Sequence, residues 1–227
     1  MKQEPEKKMT QTTLAKIVAI LVQKIKEWPV PVVGIIANEA IDKPFEVLIS
    51  TILSLRTKDK TTLEASLRLF KVARTPKAIL NLDLKKLQDL IYPVSFFRNK
   101  AVSIQKTCSI LIDKFQGMVP NNMDDLVALP GVGRKTANLV ITLGFNDYGI
   151  CVDTHVHRIS NRWGLIKTKD ADESELVLRK ILPKKYWIKY NDWLVAFGQN
   201  LCQPVSPHCS LCPVEKYCPK IDVVHSR

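Results

Sequence analysis

The sequence predicts an all-α fold. Apolar residues recur at three- and four-residue spacing along most of the chain, and Pro29, Pro44, Pro76 and Pro93 stand at the ends of those stretches. No alternating apolar–polar run of useful length argues for a strand. A chain of 227 residues makes one large domain or two small ones, and a hydrophobic content of 46% is enough for a packed core.

Taken in order, residues 1–11 read as a frayed charged terminus. Thr12 or Thr13 is positioned to cap a helix through Trp28, with Leu14, Ile17, Val18, Leu21 and Ile25 on one face and Pro29 and Pro31 ending it. A loop is expected to about Lys43. Pro44 suits a first helical position, and FEVLISTILSLR, apolar nearly all round, predicts a buried central helix. Asp59 is the expected cap of a helix through about Val72, and Thr75-Pro76 opens a short one. Leu82 to Ile91 gives another. Arg98 to Phe115 is long and amphipathic, closed by Gly117. A short helix from Met123 leads into a tight Leu-Pro-Gly-Val-Gly hairpin at 129–133, and further helices are predicted over 133–145, 154–163, 172–182 and 186–200. Trp163, Trp187 and Trp193 fall at apolar helical spacing and read as core, and Cys108 and Cys151 as buried and inert.

The formal charge of +12 and pI near 9.4 favour a polyanionic partner, nucleic acid foremost. Lysines and arginines are spread over several segments, which suits a folded basic surface more than a floppy arm. No apolar run approaches the roughly 20 residues of a membrane span. The opening MKQEPEKKMTQTT has no apolar stretch behind its charges, so it does not read as a secretory signal. The expectation is a soluble intracellular protein.

The chemistry concentrates in Leu129 to Ile159, LPGVGRKTANLVITLGFNDYGICVDTHVHRI. Gly131 and Gly133 let the backbone approach a ligand closely, and the helix start behind them offers N–H donors to a phosphate. Lys135 stands in the first turn of that helix. By itself it reads equally as a phosphate contact or a nucleophile. Asp153, followed by Thr154 and His155, reads first as a helix N-cap.

Cys202, Cys209, Cys212 and Cys218 form a C-x6-C-x2-C-x5-C pattern in a segment that Pro204, Pro207, Pro213 and Pro219 keep out of regular structure. Disulfides would need an oxidising compartment, which nothing suggests. Only Cys209 and Cys212 form the short pair typical of structural zinc, while a four-thiolate iron–sulfur cluster accommodates uneven spacing. Spacing alone leaves zinc and cluster level, with His208 an available substitute ligand.

Hairpin, lysine, VDTHVHR and cysteine spacing together resemble the endonuclease III family of helix–hairpin–helix DNA glycosylases, over about Phe45 to Cys218. The resemblance implies a six-helix barrel domain at residues 37–147. It implies a second domain from residues 1–36 and 148–227, with a [4Fe–4S] cluster on Cys202, Cys209, Cys212 and Cys218. It implies excision of oxidised or deaminated pyrimidines and strand cleavage at the abasic site, with Lys135 as nucleophile and Asp153 assisting departure of the base. A helix start beside Arg134 should lower the lysine pKa from about 10.4, while a bound phosphate pushes the other way. Gly131, Gly133, Arg134, Thr136, His155 and Arg158 are the implied phosphate contacts. Arg56 in SLRTKD and Phe96-Phe97 in VSFFRNKA are the implied wedges that fill the gap left by an extruded nucleotide. The phenylalanines read equally as core.

The sequence departs from the family at Arg56, where glutamine is usual, and at Ser95, where glycine is common. Arginine offers only donors, and guanine presents acceptors, so a preference for lesions opposite guanine is expected. The implied partner is double-stranded DNA carrying a damaged base or abasic site, bound by a monomer with no membrane association. The alternatives are a mismatch or uracil glycosylase with weak lyase activity and a non-catalytic DNA-binding clamp.

Overall fold

The computed structural model describes residues 9–28 and 32–227. Among these residues there are twelve α-helices and no strand, and no helix is long and apolar enough to cross a membrane. The first six helices are α1 (Gln11–Lys24), α2 (Val32–Glu39), α3 (Lys43–Ser54), α4 (Asp59–Val72), α5 (Pro76–Leu80) and α6 (Leu84–Ile91). The remainder are α7 (Phe97–Phe115), α8 (Met123–Val127), α9 (Arg134–Leu139), α10 (Thr154–Arg162), α11 (Ala171–Ile181) and α12 (Trp187–Asn200). The chain divides into two compact units, one of Pro31–Cys151 and one joining Met1–Val30 to Val152–Arg227.

In the Pro31–Cys151 unit the core forms around α3, on which α2, α4, α7 and α9 pack. Every residue from Phe45 to Leu53 is buried. Burying each of Leu48, Ile49, Ile52 and Leu53 contributes about 1.5–3 kcal/mol. Glu46 is among the buried residues because its Oε1 accepts from the N–H groups of Ile41 and Asp42 (3.0 and 3.3 Å), while Asp42 Oδ1 accepts from Phe45 N. That reciprocal arrangement satisfies orphan donors at the α3 start. The α9 helix continues into a π-helical turn at Val140–Gly144, so the single helix expected over 133–145 is broken in two.

In the other unit α10 packs on α11 and α12, and α1 on α12. Trp163 and Tyr190 are fully buried there, the Tyr190 hydroxyl sharing a hydrogen bond with Ser160 Oγ (3.0 Å). Trp187 is buried as expected, and Trp193 is half-buried, edge-on to Tyr186.

Several boundaries differ from expectation. Thr10, not Thr12 or Thr13, caps α1, its side chain accepting from Thr13 N, and the helix yields to a 3₁₀ turn at Ile25–Glu27. Pro29 and Pro31 lie outside the described residues. The loop expected before Lys43 contains α2, whose β-branched residues and internal Gly34 mask a helical pattern. Asp59 is the first residue of α4 and Lys58 occupies the cap without a side-chain bond. At the end of α7, Gln116 takes the left-handed turn (φ 56°) ahead of Gly117.

Candidate functional site

The glycine hairpin is held from beneath by α7. Thr107 Oγ1 donates to Pro130 O (3.1 Å), and Leu129 and Val132 are buried on either side of the bend. Val132 N donates to Leu129 O (3.1 Å), closing a turn in which Gly131 has φ +79°. An L side chain is strained there. Gly133 is extended and forms the N-cap of α9, with open space where a Cβ would stand. The hairpin thus delivers the first turn of α9 to the surface with no side-chain cap over it. Lys135, exposed, is the second residue of that turn, and Arg134 is half-buried. Thr136 is buried.

Two other turns of the same unit come together. Arg56 is exposed and left-handed (φ 55°) at the end of α3, and Phe96 is 60% exposed and left-handed (φ 57°) at the start of α7. Such non-glycine residues cost on the order of 1–3 kcal/mol each and persist where surroundings hold them. Ser95 N donates to Thr57 Oγ1 (3.2 Å), joining the turns. Phe97 is half-buried, edge-on to Tyr92 (5.4 Å between centroids) and under the Arg98 guanidinium. Of the two phenylalanines, Phe96 is the one on the surface.

Asp153 lies in the other unit and caps α10. Its Oδ1 accepts from His155 N and Val156 N, both at 2.9 Å. The sequence-level cap is therefore present, and it fixes the carboxylate. His155 Nδ1 accepts from Arg158 Nη2 (3.0 Å), which also donates to Cys202 O (2.8 Å). Gly198 on α12 makes this possible, since a Cβ there would stand 2.2 Å from His155 Nδ1. Arg158 is directed at protein groups rather than outward.

The four C-terminal cysteines line one cavity with Arg162, Trp163 and Phe197. Burial pushes the Cys212 and Cys218 thiols up to about 11. N–H groups point at the sulfurs: Arg162 Nη1 at Cys202 Sγ (3.4 Å) and Lys220 N at Cys218 Sγ (3.4 Å). Arg162 is buried and also donates to Gln203 O and Pro204 O (2.7 and 2.8 Å). Among the described residues no three His, Cys, Asp or Glu side chains converge as ligands of a single ion. Four thiols around one cavity, with N–H groups aimed at two of the sulfurs, are a donor set that suits a soft metal centre.

Sequence reasoning missed Arg162, Thr57, Gly198 and Lys100. The one available signal was at Lys100, which shares the apolar face of α7 with Ala101, Ile104, Cys108 and Leu111. For the others the partners lie too far along the chain to be read locally.

An all-helical frame in which a glycine hairpin feeds a lysine-bearing helix defines the helix–hairpin–helix class of DNA-repair proteins. The chain matches the HhH-GPD superfamily base excision DNA repair protein family across residues 49–184. It is 46% identical over 181 residues to endonuclease III of Thermotoga maritima, covering 80% of this chain and 85% of that protein. It is 41% identical over 187 residues to the chloroplastic endonuclease III homolog 1 of Arabidopsis thaliana, covering 78% of this chain and 49% of the plant protein, about half that relative's length. In structure it is similar to endonuclease III in a trapped covalent intermediate with DNA, with a TM-score of 0.80, 35% identity and coverage of 93% and 97%. The chain belongs to the endonuclease III family.

Proposed function

We propose that the chain removes damaged pyrimidines from double-stranded DNA and cleaves the strand at the resulting abasic site, with Lys135 as nucleophile. The target nucleotide is extruded from the stack to expose C1′. The uncharged Lys135 amine bonds to C1′ as the glycosidic bond breaks, and the base leaves with the electron pair and takes up a proton. Ring opening gives a Schiff base between Lys135 and C1′. Removal of a C2′ proton then expels the 3′ phosphate, and water hydrolyses the imine to release the enzyme.

Asp153, immobilised by two backbone donors, stabilises the cationic sugar as the base departs and relays protons. Gly131, Gly133 and Arg134 hold a phosphate at the start of α9. Thr136, being buried, contributes through its N–H rather than its hydroxyl. His155 meets a second phosphate, held in orientation by Arg158. Phe96 enters the gap left by the extruded nucleotide. Arg56 reads the base opposite and favours guanine, whose acceptors match its donors. Equal rates with guanine and adenine opposite one lesion would dispose of that preference.

Cys202, Cys209, Cys212 and Cys218 hold a [4Fe–4S] cluster, which orders a proline-broken segment that has few helical hydrogen bonds of its own. Visible absorption of iron–sulfur in the purified protein tests this, and a colourless zinc-loaded protein overturns it.

The observation that carries the catalytic reading is the exposed lysine in the uncapped first turn behind the hairpin. Borohydride added during reaction with abasic DNA is expected to trap a covalent adduct with the native protein and none with Lys135→Ala. If Lys135→Ala still formed the adduct, the nucleophile would lie elsewhere.

A further inference from the structure

The ammonium of Lys100 is buried beneath the Arg56 and Phe96 turns. Its Nζ donates to Leu53 O (2.8 Å), Leu55 O (2.6 Å) and Thr57 Oγ1 (3.2 Å). These use all three of its donors. Two acceptors are carbonyls at the end of α3, where the helix leaves such groups without an internal partner and where a cation is favoured. The third, Thr57 Oγ1, accepts also from Ser95 N (3.2 Å), so one hydroxyl ties the residue after Arg56 to the residue before Phe96. Through its own backbone Lys100 N donates to Phe96 O (3.0 Å), opening α7. One residue therefore grips both left-handed turns, one through its side chain and the other through its main chain. Burial pushes the Lys100 ammonium down to about 8; its three acceptors are what the charge has in place of water. A guanidinium could not replace it, because a planar fork cannot meet three acceptors arranged around a point.

We propose that Lys100, acting through Thr57, is a positioning residue that holds the Arg56 and Phe96 turns as one rigid wedge and so sets how strictly the base opposite the lesion is read. This rests on the reading that Arg56 meets that base. Lys100 and Thr57 touch no reacting atom. Their effect falls on discrimination rather than on bond breaking.

The test uses the full-length protein as purified and duplexes bearing an abasic site opposite each of the four bases. The variants are Lys100→Met, which keeps length and loses the donors, and Thr57→Val, which keeps shape and loses the hydroxyl, with Arg56→Ala as reference. The spread of cleavage rates across the four opposite bases is expected to shrink by at least about fivefold in all three variants, the scale of one lost base contact. Cleavage of a single-stranded abasic site, which needs no wedge, is expected to stay within about threefold of the native rate in Lys100→Met and Thr57→Val. A spread unchanged in both Lys100→Met and Thr57→Val, but reduced in Arg56→Ala, overturns the positioning role and leaves the Arg56 reading standing. A spread unchanged in Arg56→Ala removes the Arg56 reading and this proposal with it. Equal losses on single and double strands in the Lys100 and Thr57 variants reduce both residues to structural supports. Should Lys100→Met fail to melt cooperatively, Thr57→Val decides.

Discussion

The starts of α9 and α10 are built from the same raw material and put to opposite uses. Each follows a break in the chain, and each carries one of the two residues proposed to act on the sugar. At α10 the first turn is answered from within, with one carboxylate oxygen of Asp153 taking two N–H groups at 2.9 Å. At α9 the cap position is Gly133, which has no side chain to give and open space around it. A helix start favours negative charge wherever that charge comes from. Supplied by the chain, it immobilises an acid; at α9 the proposed supplier is a phosphate of the DNA.

That contrast can be broken in stages. The largest effect is expected from Lys135→Ala, which should lower abasic-site cleavage by at least about a thousandfold while leaving duplex affinity, measured by fluorescence anisotropy, nearly unchanged. Next comes Asp153→Asn. Asparagine caps as well as aspartate, so the melting temperature should hold while base excision falls by about a hundredfold. A parallel fall in melting temperature would mean that the cap, not the charge, was what mattered. Gly133→Asp then gives α9 the cap that α10 has. A Cβ added there meets nothing within 4 Å, so folding should be preserved, and DNA affinity should fall by about tenfold as the new carboxylate takes the phosphate's place. The smallest expected effect is that of Gly131→Ala, about 1 kcal/mol in chemical denaturation, because alanine is strained at φ +79° although Ser103 leaves it room.

The same contrast explains what could be read from sequence. The signals that succeeded were local: Thr75 before Pro76, Asp153 three residues before Val156, two glycines ahead of a lysine. The first two are short-range bonds between a side chain and backbone a few residues away, and the third marks the left-handed turn at Gly131. The α2 helix escaped because its sequence opens on Val32, Val33 and Gly34, poor helix formers, and the helix as a whole packs on α3. Arg162 and Lys100 escaped for a different reason. A cationic side chain is by default a surface residue, and the carbonyls that draw these two inward stand about 40 positions away in sequence. Arg158 shows the limit most plainly. The motif around it gave no sign that its guanidinium meets Cys202 O, 44 positions away.

The unbroken burial of α3 from Phe45 to Leu53 has a dynamical corollary. Amide protons along such a sheathed rod can trade with solvent only when the whole unit opens, so hydrogen exchange there should report global unfolding while exposed loops report nothing but fraying. Arg56 is mounted two residues beyond the tip of that rod. The residue proposed to meet the opposite base is thus carried on a helix anchored through the middle of its unit's core.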